Sequence, residues 1–163
     1  MSQASDWHEW TDQVKTNPDS LILVVHIERD DALGVEKMEI GNAQFLIKNY
    51  FGVNKLKGEN SDHAPLVIII GCEPNNITYH GFDIASTLLS KGAAIVISNF
   101  TKIRGRQAGP IVIGLVEFLK TLRGQEFRLG DVVLKLRQQL LAKGIMASLS
   151  LMVYGDADWK IKI

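Results

Sequence analysis

Two short apolar runs constrain this chain more than any other feature. Residues 21–25 read Leu-Ile-Leu-Val-Val and residues 65–70 read Pro-Leu-Val-Ile-Ile-Ile. The first follows the turn-forming Asn17-Pro18-Asp19-Ser20, and the second follows a polar stretch over residues 58–63. An apolar, β-branched run without polar alternation has to be covered on both faces, as in a parallel sheet with helices on either side. Both runs are therefore read as buried strands. His26 and Gly71-Cys72 stand at their carboxyl ends.

The remaining pattern extends this arrangement. Phe82, Ile84, Ala85, Leu88 and Leu89 recur at helical spacing and Gly92 follows as a stop, so residues 82–91 are expected to be helical. Residues 94–97, Ala-Ile-Val-Ile, make a third strand. Gly109-Pro110 is expected to open the next helix with Pro110 in its first turn, and residues 129–143 give another helix closed by Gly144. Residues 148–154 read as a fourth strand, followed by a turn at 155–158 and a tail from Trp159 to Ile163. Between the first two strands, residues 34–40 suggest a short hairpin and residues 42–51 a helix. Near the amino terminus, Trp7, Trp10 and Val14 share one helical face. Strands alternating with helices of this length indicate α/β class, a mainly parallel sheet with helices on both faces. The chain, at 163 residues, fits one domain over residues 1–163, with a helix and turn in residues 1–19.

Composition removes several function classes. Formal net charge is zero and the charged residues are dispersed, so neither a nucleic-acid footprint nor a polybasic membrane patch is expected. No apolar run approaches the roughly 20 residues that span a bilayer, and the polar, acidic start is unlike a signal peptide. A cytoplasmic location is expected. One cysteine, Cys72, excludes an internal disulfide and a multi-thiolate zinc site, and no metal or cofactor is expected. No Gly-x-Gly-x-x-Gly loop favours a small-molecule enzyme on a flavodoxin-like sheet.

In an open α/β sheet, ligands gather at the carboxyl ends of the strands. A thiol there, with a nearby imidazole to carry its proton, is the minimum apparatus for acyl transfer. Taken one at a time, the same residues read first as packed side chains, because cysteine is among the most buried residue types.

Four segments in order resemble the successive motifs of CHAT domains, the bacterial caspase-like fold in the clan of caspases, separases and gingipains. They are Leu21-Ile-Leu-Val-Val-His26, Pro65-Leu-Val-Ile-Ile-Ile-Gly-Cys-Glu73, Leu88-Leu-Ser-Lys-Gly-Ala-Ala-Ile-Val-Ile-Ser98 and Tyr154-Gly-Asp-Ala-Asp-Trp159. The resemblance covers residues 20–163. It implies a three-layer caspase-like sandwich and a cysteine endopeptidase acting on a protein or peptide substrate under control of a sensor domain or partner chain. Cys72 would be the nucleophile and His26 the general acid/base, with the backbone N–H groups of Cys72 and Ile27 forming the oxyanion hole. Glu73, Asn99, Arg104 and Arg106 are candidates for the substrate pocket. The alternative is a catalytically inactive caspase-like assembly module.

The sequence departs from the family pattern at three points. Ile27 follows the histidine where the family usually has glycine. The stretch after the third strand is basic, with Lys102, Arg104 and Arg106 where many members carry a carboxylate. Only about twenty residues precede the histidine-bearing strand, in place of the two strands that usually come first. An incomplete sheet edge of this kind is expected to favour association.

Overall fold

The computed structural model describes residues 6–30, 35–40, 43–46, 56, 64–71, 83–99, 101, 103, 105–122, 124, 126–156 and 158–162. These residues form a mixed α/β fold. Its strands are β1 (Ser20–Asp30), β2 (Val35–Ile40), β3 (Ala43–Leu46), β4 (Leu66–Gly71), β5 (Ile95–Asn99), β6 (Glu126–Arg128), β7 (Leu151–Tyr154) and β8 (Lys160–Lys162). The helices among them are α1 (Trp7–Lys15), α2 (Asp83–Ser90), α3 (Gly105–Thr121) and α4 (Leu129–Ala142).

Six strands lie in the order β3-β2-β1-β4-β5-β7, while β6 and β8 form a separate two-stranded ribbon. The three central strands are parallel, in the register Leu21↔Val67, Leu23↔Ile69 and Val25↔Gly71 for β1–β4, and Val67↔Val96 for β4–β5. Every residue of β4 is buried, and Val67 to Ile70 have no exposed surface. This is the structural counterpart of the unbroken apolar run.

Pleating divides the core in two. Leu21, Leu23, Val25 and Ile27 of β1 join Val67 and Ile69 of β4 in one cluster, which is covered by Trp7 and Trp10 of α1 and Ile84 and Leu88 of α2. Ile68 and Ile70 of β4 and Ile95 and Ile97 of β5 belong to the other cluster, with Ile111, Leu115 and Phe118 of α3 and Val132, Leu136 and Leu140 of α4. Side chains two apart share a sheet face, so each strand feeds both cores. Asp6 caps α1, its carboxylate accepting from the Glu9 N–H at 2.9 Å, and Trp7 meets Trp10 edge to face at 6.5 Å. The stops expected at Gly92 and Gly144 have φ of 107° and 76°, a backbone conformation that favours glycine.

The structure corrects the expected elements in five places. β1 does not end at His26 but runs four residues further to Asp30, held by antiparallel pairing with β2. That register pairs the backbone of His26 with Glu39, Ile27 with Met38 and Asp30 with Val35. Of the hairpin expected over residues 34–40, Val35–Ile40 form instead a single strand between β1 and β3, and residue 34 lies outside the described residues. The helix expected over residues 42–51 is overturned over Ala43–Leu46, which form β3, while residues 42 and 47–51 lie outside the described residues. Antiparallel pairing with β2 outweighs the helical spacing of the apolar residues there.

Helix α3 begins at Gly105, which leaves Pro110 inside it and not in its first turn. The segment expected as a strand over residues 148–154 divides into a 3-10 turn, Met146–Ser150, and β7. Ser150 Oγ donates to the Ala147 carbonyl at 2.7 Å, a local bond that competes with extended backbone. β7 pairs antiparallel with β5, so the sheet is parallel at its centre and antiparallel towards both edges. The tail also pairs: Phe127 of β6 faces Ile161 of β8, and Lys160 meets Glu126 at 2.7 Å.

Because Ile68 has no exposed surface and fills the α3/α4 side of the central strand, Ile68→Ala is expected to lower the unfolding free energy by about 2–5 kcal/mol in urea titration. A loss below about 1 kcal/mol would contradict this packing. Partial burial raises the Tyr154 phenol above its ordinary value. A phenol that holds its proton more tightly when folded contributes stability that is intact below the unfolded value and lost as pH climbs through the folded one. Stability should therefore decline above about pH 10. Tyr154→Phe should flatten that decline, and an unchanged profile would assign it to other groups.

Candidate active site

His26 lies where β1 passes from its parallel neighbour to its antiparallel one. Residues up to Val25 are registered with β4, and residues from His26 onward are registered with β2, beginning with His26↔Glu39. The alternation along β1 fixes the direction of the ring. Val25 and Ile27 are each 6 % exposed and point into the α1/α2 core, so His26 points to the opposite face, beside Val24, which is 56 % exposed. The α3/α4 layer therefore stops short of this end of β1. The imidazole is exposed.

Three further side chains share its shallow cleft: Lys37 and Glu39 of β2 and Gln44 of β3. Glu39 is the middle member of a cross-strand row, opposite His26 on one side and Gln44 on the other, with the Gln44 amide donating to its Oε2 at 3.5 Å. A carboxylate directly across from an imidazole in an antiparallel pair is near enough to orient the ring electrostatically. Neither Glu39 nor Gln44 was marked by the sequence motifs. The signal available was the period-two alternation of Lys37 and Glu39 along one short strand.

The end of β4 is the most tightly defined part of the site. A Cβ on Gly71 would lie 2.4 Å from the carbonyl oxygen of Val25, its register partner, so only glycine permits this approach of β1 and β4. On the other side, Asn99 holds Gly71 by both of its backbone groups. The Gly71 N–H donates to Asn99 Oδ1 at 3.1 Å, and Asn99 Nδ2 donates to the Gly71 carbonyl at 2.9 Å and the Thr101 carbonyl at 2.6 Å. One N–H and two carbonyls require the amide in this orientation and no other.

Asn99 has no exposed surface. The amide of this substrate-pocket candidate is sealed and engaged with backbone. Ile27 has its side chain in the core and its backbone opposite Met38. Arg106 is exposed in the first turn of α3. Cys72, Glu73 and Arg104 lie outside the described residues. What is described of the nucleophile candidate's strand ends one residue before it, at Gly71. Among the described residues no group of three His, Cys, Asp or Glu side chains is placed to hold a metal ion, and no helix is long and apolar enough to cross a membrane.

Gly71→Ala is expected to destabilise the fold by about 1–3 kcal/mol, because neither the Val25 carbonyl nor the Asn99 clasp can give way without parting two parallel strands. A neutral effect in chemical denaturation would mean that β1 and β4 do not approach this closely. Compared with known proteins, the chain matches no family model and no curated sequence.

Proposed function

We propose that the protein is a CHAT-type cysteine endopeptidase on a caspase-like three-layer fold, cleaving a specific protein substrate under the control of a sensor domain or partner. The observation that supports this most strongly is the β1–β4 register. Val25 is paired with Gly71, so the next residue of each chain is His26 on one strand and Cys72 on the other. The covalent chain keeps the Cys72 Cα about 3.8 Å from that of Gly71. An extended step there would also carry Cys72 to the face of Ile68 and Ile70, which is the face of His26.

The chemistry follows from these roles. The Cys72 thiolate attacks the peptide carbonyl, forming a C–S bond, and the tetrahedral oxyanion is held by backbone N–H groups, those of Cys72 and Ile27 being the candidates. Collapse breaks the C–N bond as His26 passes its proton to the leaving amine. Water, deprotonated by the same imidazole, then releases the acyl group and restores the thiol. Glycine is usual after the histidine, yet the buried side chain of Ile27 lies on the opposite face of β1 and does not crowd the imidazole. The rival reading, an inactive assembly module with His26 as a packed residue, accords less well with an exposed ring.

Electrophilic peptide ketones provide the test. The wild-type chain should be labelled once, Cys72→Ala should not be labelled, and His26→Ala should be labelled at least about a hundredfold more slowly. Equal labelling rates for the wild type and His26→Ala would overturn the dyad.

A further inference from the structure

The Asn99 amide does more than satisfy a strand end. The backbone ladder between β4 and β5 has its last registered pair at Ile69↔Ser98, and beyond it the Asn99 side chain supplies to Gly71 the acceptor and the donor that a neighbouring strand would have supplied. Its second N–H reaches the Thr101 carbonyl, at the start of the basic segment that follows β5. One buried side chain thus fixes the last residue before Cys72 and ties it to Thr101. An apolar residue would pack this position without bonds, but it would leave three backbone groups of the region unsatisfied.

We infer that Asn99 is a positioning residue of the proposed active site, setting the geometry between Cys72 and His26 through the backbone of Gly71. This rests on the peptidase reading given above. The bland alternative is a brace that contributes to stability alone, and the two differ in what they do to the thiol. If Asn99 sets the dyad geometry, its removal weakens the ion pair that holds the thiolate, whereas a brace leaves the thiol of each folded molecule unchanged. Because Cys72 is the single cysteine, alkylation reports on it without ambiguity.

The experiment is the pH dependence of iodoacetamide alkylation in the folded full chain, for the wild type, His26→Ala, Asn99→Ala and Leu140→Ala. Asn99→Ala adds no charge that would itself disturb the thiol. Leu140 is a buried residue of α4 packed beside Gly114, and its truncation controls for loss of stability. If Asn99→Ala does not fold, Asn99→Ser, which keeps one donor and acceptor, takes its place. The inference requires His26→Ala and the Asn99 variant both to raise the inflection by about one pH unit or more towards the free-thiol value near 8.5, about tenfold less thiolate below it, with Leu140→Ala unmoved. If His26→Ala raises it and the Asn99 variant matches wild type, or if Leu140→Ala shifts it equally, the positioning role is overturned and the dyad stands. If neither His26→Ala nor the Asn99 variant moves it, the dyad itself is wrong and the inference falls with it.

Discussion

The parallel pairing of β1 with β4 is the interaction on which the rest of this structure depends. Its tightest point is the contact between the Val25 carbonyl and the bare Cα of Gly71, a separation that no side chain would allow. Strands held this closely keep a fixed register, and here the register is also set by two cores. A slip of one residue would send Leu21, Leu23, Val25 and Ile27 to the face of the other cluster. The strand on the far side of β4 secures the same end by different means, with a buried amide in place of a backbone ladder.

Pleating then gives the two faces of one strand different surroundings. Odd-numbered positions of β1 from Leu21 to Ile27 anchor α1 and α2, while of the even-numbered ones Ile22 is half-buried and Val24 and His26 are exposed. The α3/α4 layer covers β4 and β5 but leaves the last turns of β1 open. An imidazole is thereby presented on a rigid element with its neighbours buried, and it borders a strand carrying Lys37 and Glu39. Rigid presentation of this kind is what general acid/base chemistry requires, since small displacements of the group cost large factors in rate.

The central sheet was legible in the sequence because its physics is local to each run. Unbroken apolar β-branched stretches have few alternatives to a doubly covered strand, and residues 66–70 and 95–97 behaved accordingly. The flanks were less legible because tertiary pairing decided them. The polar stretch after His26 departs from the apolar run that marks the strand, and only antiparallel pairing with β2 extends β1 to Asp30. Residues 43–46 carry apolar spacing that suits a helix until pairing with β2 commits them to a strand. Within the site, His26 was visible after the first apolar run, but Asn99 was visible only as a candidate for the substrate pocket and not as a partner of the backbone. Its role depends on Gly71, 28 residues earlier in the chain, and no local pattern encodes that distance.

The proposed dyad requires His26 of β1 and Cys72, the residue after Gly71 of β4, to lie at the same level and on the same face of the sheet. A disulfide trap measures this directly, since the bond forms only between residues whose Cα atoms lie about 4.4–6.8 Å apart with converging side chains. Under mild oxidation, the His26→Cys chain is predicted to close an intramolecular disulfide with Cys72, while Ile27→Cys, which directs its thiol into the opposite core, stays reduced. Two free thiols in oxidised His26→Cys, or preferential closure in Ile27→Cys, would contradict it.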